Sequence, residues 1–119
     1  MITGLDHLQI ALPACATDGM RTFYCGLLGL TEVPKPAPLK GRGGFWAVAG
    51  TTGVHFGIDP DFTPQTKGHP AFLVRDIHAL AERLQAAGIE LTWDSALPDV
   101  TRCFVADPVG NRVELIADD

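Results

Sequence analysis

From Leu5 to Leu12 apolar and polar positions alternate, with Leu8, Ile10 and Leu12 on one face and His7, Gln9 and Ala11 on the other. That period of two predicts a strand with one buried side. The pattern then changes to a helical stripe of Met20, Phe23, Tyr24, Leu27 and Leu28, which Thr17 or Asp18 can cap and Gly29 can end. Short strands are expected at Leu30–Val33, Phe45–Ala49 and Val54–Ile58, the last two joined by Gly50-Thr51-Thr52-Gly53. The same order then returns. Ala71–Arg75 reads as a strand, and Asp76 caps a helix carrying Ile77, Leu80, Ala81, Leu84 and Ala87 that ends at Gly88. Strands follow near Ile89–Trp93, Arg102–Ala106 and Arg112–Ala117, with Asp107-Pro108-Val109-Gly110-Asn111 as the hairpin turn.

The two halves also match residue by residue. A shift of 59 lays Gly29-Leu30-Thr31-Glu32 on Gly88-Ile89-Glu90-Leu91, Phe45 on Phe104, Val54 on Val113 and His55 on Glu114. A shift of 62 lays His7 on His69. The expected fold class is therefore α+β: two tandem β-α-β-β-β units, about residues 5–58 and 69–117, joined by a linker at about 59–68. Together they are read as one domain, 1–119, of curved mixed sheets around a shared cavity with helices outside. Pro34 to Gly44, with three prolines, three glycines and Lys35, Lys40 and Arg42, is either a lid or a long turn.

The repeat sets potential metal ligands at equivalent places. His7, His55, His69 and Glu114 each lie opposite the apolar side of their strands, so all four leave the presumed helix-packed face. Three of the four histidines occupy such positions, and His78, beside Ile77 in the second helix, reads as solvent-facing. Three imidazoles and a carboxylate suit one divalent transition metal per site (Zn, Fe, Mn, Ni or Co) and not Ca²⁺ or Mg²⁺. Further candidates for contact with a substrate are Gln9, Trp46, Arg102 and Phe104. Gln9 reads equally as a hydrogen-bonded sheet residue and Arg102 as a surface ion pair. Phe45 and Trp46 must face opposite ways, and the pattern alone does not choose between them.

Composition narrows the classes. The chain has 119 residues and a net charge of −5 with no basic run, which argues against a nucleic-acid partner. No apolar run has membrane-spanning length and no signal peptide is evident, so a cytoplasmic location without a membrane partner is expected. Cys15, Cys25 and Cys103 have no paired spacing and read as buried small apolar residues.

Asp6-His7-Leu8-Gln9-Ile10-Ala11, Phe23-Tyr24-Cys25-Gly26-Leu27-Leu28-Gly29-Leu30 and Asp107-Pro108-Val109-Gly110-Asn111-Arg112-Val113-Glu114-Leu115-Ile116 resemble the vicinal oxygen chelate superfamily. This is the glyoxalase, bleomycin-resistance and extradiol-dioxygenase group. The resemblance implies a metal bound by the first and last strands of each unit, at the places held here by His7, His55, His69 and Glu114, and a homodimer. It points to a metal-dependent glyoxalase-like enzyme whose small-molecule substrate chelates the ion through neighbouring oxygens, with Glu114 as general base. Whether the chemistry is that of a lyase, an isomerase or a dioxygenase stays open. This chain departs from glyoxalase I, which has a glutamate where His55 stands, and from the fosfomycin-resistance transferases, which have a tyrosine where Phe104 stands. The competing reading is a drug- or small-molecule-sequestering protein of the bleomycin-resistance type, without turnover.

Overall fold

The computed structural model describes residues 1–118. It contains two four-stranded mixed sheets of the same topology. In the first, β1 (His7–Leu12), β2 (Thr31–Val33), β3 (Phe45–Ala49) and β4 (Thr52–Ile58) lie in the order β1-β4-β3-β2. In the second, β5 (Ala71–Val74), β6 (Thr92–Asp94), β7 (Arg102–Ala106) and β8 (Arg112–Ala117) lie in the order β5-β8-β7-β6. In each sheet the outer first strand runs parallel to its neighbour (β1 to β4, β5 to β8) and the other pairs are antiparallel. The α+β architecture of paired β-α-β-β-β units is thus the observed one. Contacts divide the chain into Met1–Thr63 and Pro64–Asp119.

Alternation decides what each sheet buries. In the first unit Ile10 and Leu12 of β1, Phe45 and Ala47 of β3, and Val54 and Phe56 of β4 are buried, with Met20, Phe23 and Tyr24. Phe45 stacks on Phe56 at 4.2 Å between centroids, and Tyr24 meets Phe56 at 4.7 Å. In the second unit Cys103, Val105, Val113 and Leu115 are buried, together with Ile77, Ala81 and Leu84 of helix α2 (Ile77–Ala86). Asp76 accepts from the Ala79 N–H as the cap expected of it.

Several local expectations change. The first helix is short: α1 (Thr17–Arg21) has Ala16 at its cap position with no side-chain cap bond, and it widens into a π-helical turn over Thr22–Leu27. The wider turn leaves Leu27 and Leu28 half-buried, while Met20, Phe23 and Tyr24 reach the core. Ala87 is exposed. Cys15 is exposed and Cys25 half-buried, so only Cys103 fits the reading as a buried apolar residue; its burial pushes that thiol up. His78 is exposed, as expected, and stacks on Trp93 at 5.4 Å.

The gapless overlay of the halves also fails at one place. Trp46 pairs with His55, nine residues on, whereas Phe104 pairs with Glu114, ten residues on. The structural counterpart of Phe104 is therefore Trp46, and Phe45 belongs to the opposite, buried face. A one-residue difference in register flips a side chain across the sheet.

The Asp107–Asn111 turn is built as structure. Asp107 Oδ1 accepts from Val109 N at 3.0 Å and Asn111 N at 2.9 Å, and Asn111 Oδ1 accepts from Gln65 N at 3.0 Å. The segment Pro34–Gly44 holds a 3₁₀ stretch at Ala37–Arg42 and returns to β3 through Gly43 and Gly44, both at φ 72°. A Cβ on Gly44 would collide with the Phe56 carbonyl oxygen. Gly44→Ala should accordingly cost at least about 2 kcal/mol of stability. Gly19→Ala, in α1 with nothing within 4 Å of the new methyl, should be neutral or stabilising by up to about 1 kcal/mol. Urea denaturation of the two variants checks the pair.

Candidate functional site

Strand pairing sets the site residues side by side on the face opposite each core. In the first unit Gln9, His55 and Trp46 are direct neighbours across β1, β4 and β3. In the second, Ala71, Glu114 and Phe104 hold the corresponding places on β5, β8 and β7. His7 stands two residues before Gln9, and His69 lies just ahead of β5.

Glycines clear the first unit's face. A Cβ on Gly53 would lie 3.1 Å from His7 Cβ and 3.3 Å from His55 Nε2, and one on Gly57 would overlap the Gln9 amide. His55 is stacked between two rings: Trp46 at 3.6 Å and 5° between planes, and His7 at 4.1 Å and 23°. Burial, reinforced by His7, pushes the His55 pKa down, against a smaller opposing effect of Asp6. His7 Nδ1 meets Asp6 Oδ1 at 2.7 Å. Because a carboxylate accepts, that nitrogen carries the proton and Nε2 keeps its lone pair. These residues line a cavity of about 560 Å³ that also takes in Lys35, Leu39 and Arg42.

In the second unit Glu114 is buried, at 6% exposure, and both of its oxygens are engaged. Oε1 lies 2.9 Å from His69 Nε2, and Oε2 accepts from Arg102 Nη1 at 3.3 Å. His69 Nδ1 donates to the Lys67 carbonyl at 2.9 Å, which again turns Nε2 inward. Arg102 also pairs with Asp94 at 3.4 Å. The Asp94 carboxyl is held below the usual range first by the Ala96 N–H and, after a smaller opposing effect of desolvation, by Arg102. Phe104 is edge-on to His69 at 5.6 Å and lies under the guanidinium groups of Arg102 (5.5 Å) and Arg112 (4.0 Å). Arg102 Nε is buried with no hydrogen-bond partner among the described residues.

His7, Gln9, Trp46, His55, His69, Arg102, Phe104 and Glu114 thus lie on one or other of these two faces. Asp6, the Lys67 carbonyl, Asp94 and Arg112, which orient them, were not legible: they act through a neighbour's proton or ring. Only Asp6, next to His7 in the chain, offered a signal.

A glyoxalase-like domain model matches residues 9–116. The chain belongs to this glyoxalase-like family, within the vicinal oxygen chelate superfamily. A crystal structure of a glyoxalase family protein from Bacillus anthracis is 41% identical, with a TM-score of 0.94 over 100% of this chain and 98% of that one. The same fold recurs in a fosfomycin resistance protein from Listeria monocytogenes (16% identity, TM-score 0.80, 100% and 96% coverage). It recurs also in a lactoylglutathione lyase from Agrobacterium tumefaciens (20%, TM-score 0.70, 93% and 92%). No curated protein gives a significant match. Among the described residues no helix is long and apolar enough to cross a membrane.

The glyoxalase-like donors can be tested for fit to a divalent ion. Two ligands about 2.1 Å from one ion and at right angles to it stand about 3.0 Å apart, close to the 2.9 Å between His69 Nε2 and Glu114 Oε1. His7 turns its Nδ1–H to Asp6, and His69 turns its Nδ1–H to Lys67 and its Nε2 to Glu114, so each Nε2 is placed to serve as a donor atom once it carries no proton. His55 does not fit as oriented. Ring planes tilted by 23° at 4.1 Å converge only about 10 Å away (4.1 Å divided by tan 23°), far beyond the roughly 2.1 Å of a metal–nitrogen bond. Nor do any three His, Cys, Asp or Glu side chains gather as a group among the described residues. His7, His69 and Glu114 therefore suit an ion in donor type and orientation, and His55 as oriented is a wall between Trp46 and His7.

The depressed His55 pKa has a consequence for stability. The unfolded chain binds a proton near the ordinary value of 6.5, and the folded chain binds it only at lower pH. Unfolding then takes up a proton, so stability falls as pH drops from about 6.5 through the folded pKa and is unaffected above that window. In chelator-treated protein, His55→Gln should flatten this part of the stability–pH curve, and the His55 ring resonances should titrate below 6.5.

Proposed function

We propose that the protein is a metal-dependent glyoxalase-like enzyme acting on a small molecule that offers two neighbouring oxygens to the ion. Lyase, isomerase and dioxygenase chemistry are all compatible with this donor set. The observation that carries the reading is the matched orientation of two imidazoles. The Nδ1–H of His7 is committed to Asp6 and that of His69 to Lys67, so each ring turns Nε2 the other way, and the Nε2 of His69 stands at ligand spacing from Glu114, where an ion would replace the proton between them.

The proposed donors are His69 and Glu114 as a clip in the second unit and His7 in the first, for a divalent transition ion of Zn, Fe, Mn, Ni or Co. When bound, the ion supplies Lewis-acid polarisation of the substrate oxygens. Glu114 is the proposed proton acceptor, through Oε1 when the ion does not hold that oxygen, while Arg102 keeps Oε2 in place. Gln9, projecting over Gly57, is positioned to hydrogen-bond a substrate beside the apolar wall of Trp46, and Phe104 holds the corresponding place in the second unit. Our reading includes a homodimer, a cytoplasmic setting, and neither nucleic acid nor membrane as partner.

A second reading, sequestration of a small molecule without turnover, draws on the stacked Trp46–His55–His7 column and on the Glu114 oxygens being already engaged. Elemental analysis of protein purified without added metal separates the two. We expect about one transition metal per chain, retained in His55→Gln and lost in His7→Ala/Glu114→Gln. Absence of metal even after reconstitution, with ligand binding indifferent to chelators, would favour sequestration.

A further inference from the structure

The cavity of the first unit has an electrostatic character opposite to that of the chain. The protein carries −5 overall, yet the charged side chains lining this cavity are Lys35, Arg42 and Asp6. Asp6 is turned to the Nδ1–H of His7, so the lining sets two cations against one carboxylate, a net positive charge around a space of about 560 Å³. Lys35 is not a loose surface charge. Its ammonium donates to the Gly43 carbonyl, closing the segment that carries Arg42 and Leu39. That bond uses one of three N–H donors and leaves two to offer. The rest of the lining is apolar or aromatic, from Trp46, Leu39 and Ile58, with the Gln9 amide among them.

We propose that this cavity recognises a planar organic anion, its acidic head on Lys35 and Arg42 and its conjugated body against Trp46 and Leu39. The chemistry follows from the lining. A guanidinium forks onto a carboxylate in two parallel bonds, an ammonium adds a point charge, and an indole and a leucine cover a flat apolar body. A cationic recess in an acidic protein also concentrates small anions over neutral analogues. The inference deepens the small-molecule reading above by naming a substrate class, and it needs no metal.

Isothermal titration calorimetry of chelator-treated protein with 2-naphthoate and with its neutral isostere naphthalene-2-carboxamide tests it. The acid should bind at least about 10-fold more tightly than the amide. Lys35→Gln/Arg42→Gln should bring the acid to the level of the amide, weakening the acid at least about 10-fold more than it weakens the amide. Both substituted residues are at least partly exposed, so the fold should survive, and unchanged thermal unfolding checks that it does. Equal affinity of acid and amide, a preference for the acid that persists in the double variant, or no saturable binding of the acid at millimolar concentration each overturns the proposal. A preference that appears only after metal is restored also overturns it, since the ion would then be reading the anion, while the metal reading would stand. A preference held by chelated protein that proves unable to take up metal supports this inference and removes the metal reading.

Discussion

The whole arrangement depends on the two-residue period of the central strands β4 and β8. Each gives its even or odd positions to a core and the alternate ones to chemistry, and each is flanked on both sides by strands in fixed register. Val54 and Phe56 go inward with Phe45 and Ala47, so His55 must go outward, between Gln9 and Trp46. Val113 and Leu115 do the same for Glu114. Burial of a large apolar side chain contributes about 1.5–3 kcal/mol, and the two on the inner face of each central strand set a register that a slip by one residue would forfeit. The positions of the functional side chains are thus enforced by residues that never touch them.

What apolar packing cannot set is the direction in which each polar group points, and here single hydrogen bonds decide. Asp6 and the Lys67 carbonyl each hold one Nδ1–H and so fix the orientation of two imidazole rings. Arg102 keeps the buried Glu114 from standing as an uncompensated charge, a state that would cost several kcal/mol. Stacking does for His55 what a hydrogen bond does for His7: contact with Trp46 fixes its ring plane, and burial favours its neutral form.

The paired units and their functional faces were legible because they rest on periodicity, to which a sequence gives direct access. Placing His7, Gln9, His55, His69 and Glu114 opposite the cores needed only alternation. Three things were not legible. The π-helical turn at Thr22–Leu27 leaves apolar spacing that still looks helical. The choice between Phe45 and Trp46 depended on hairpin register, which differs by one residue between the halves. The tilt between the rings of His7 and His55 depends on side-chain torsions, and these removed His55 from the proposed ligand set although its strand position was read correctly.

The unequal hairpins bear on how such a repeat can be recombined. Residues 50–51 join β3 to β4, and residues 107–111 join β7 to β8. An exchange of hairpins cut at the constant sequence offset would graft Phe45 where Phe104 stands and aim a core ring into solvent. Cut instead at the matched pairs, Ala47–Val54 for Val105–Val113, the same exchange preserves both faces. The halves are interchangeable modules in the geometry of their sheets, but not in the linear numbering that first reveals their kinship.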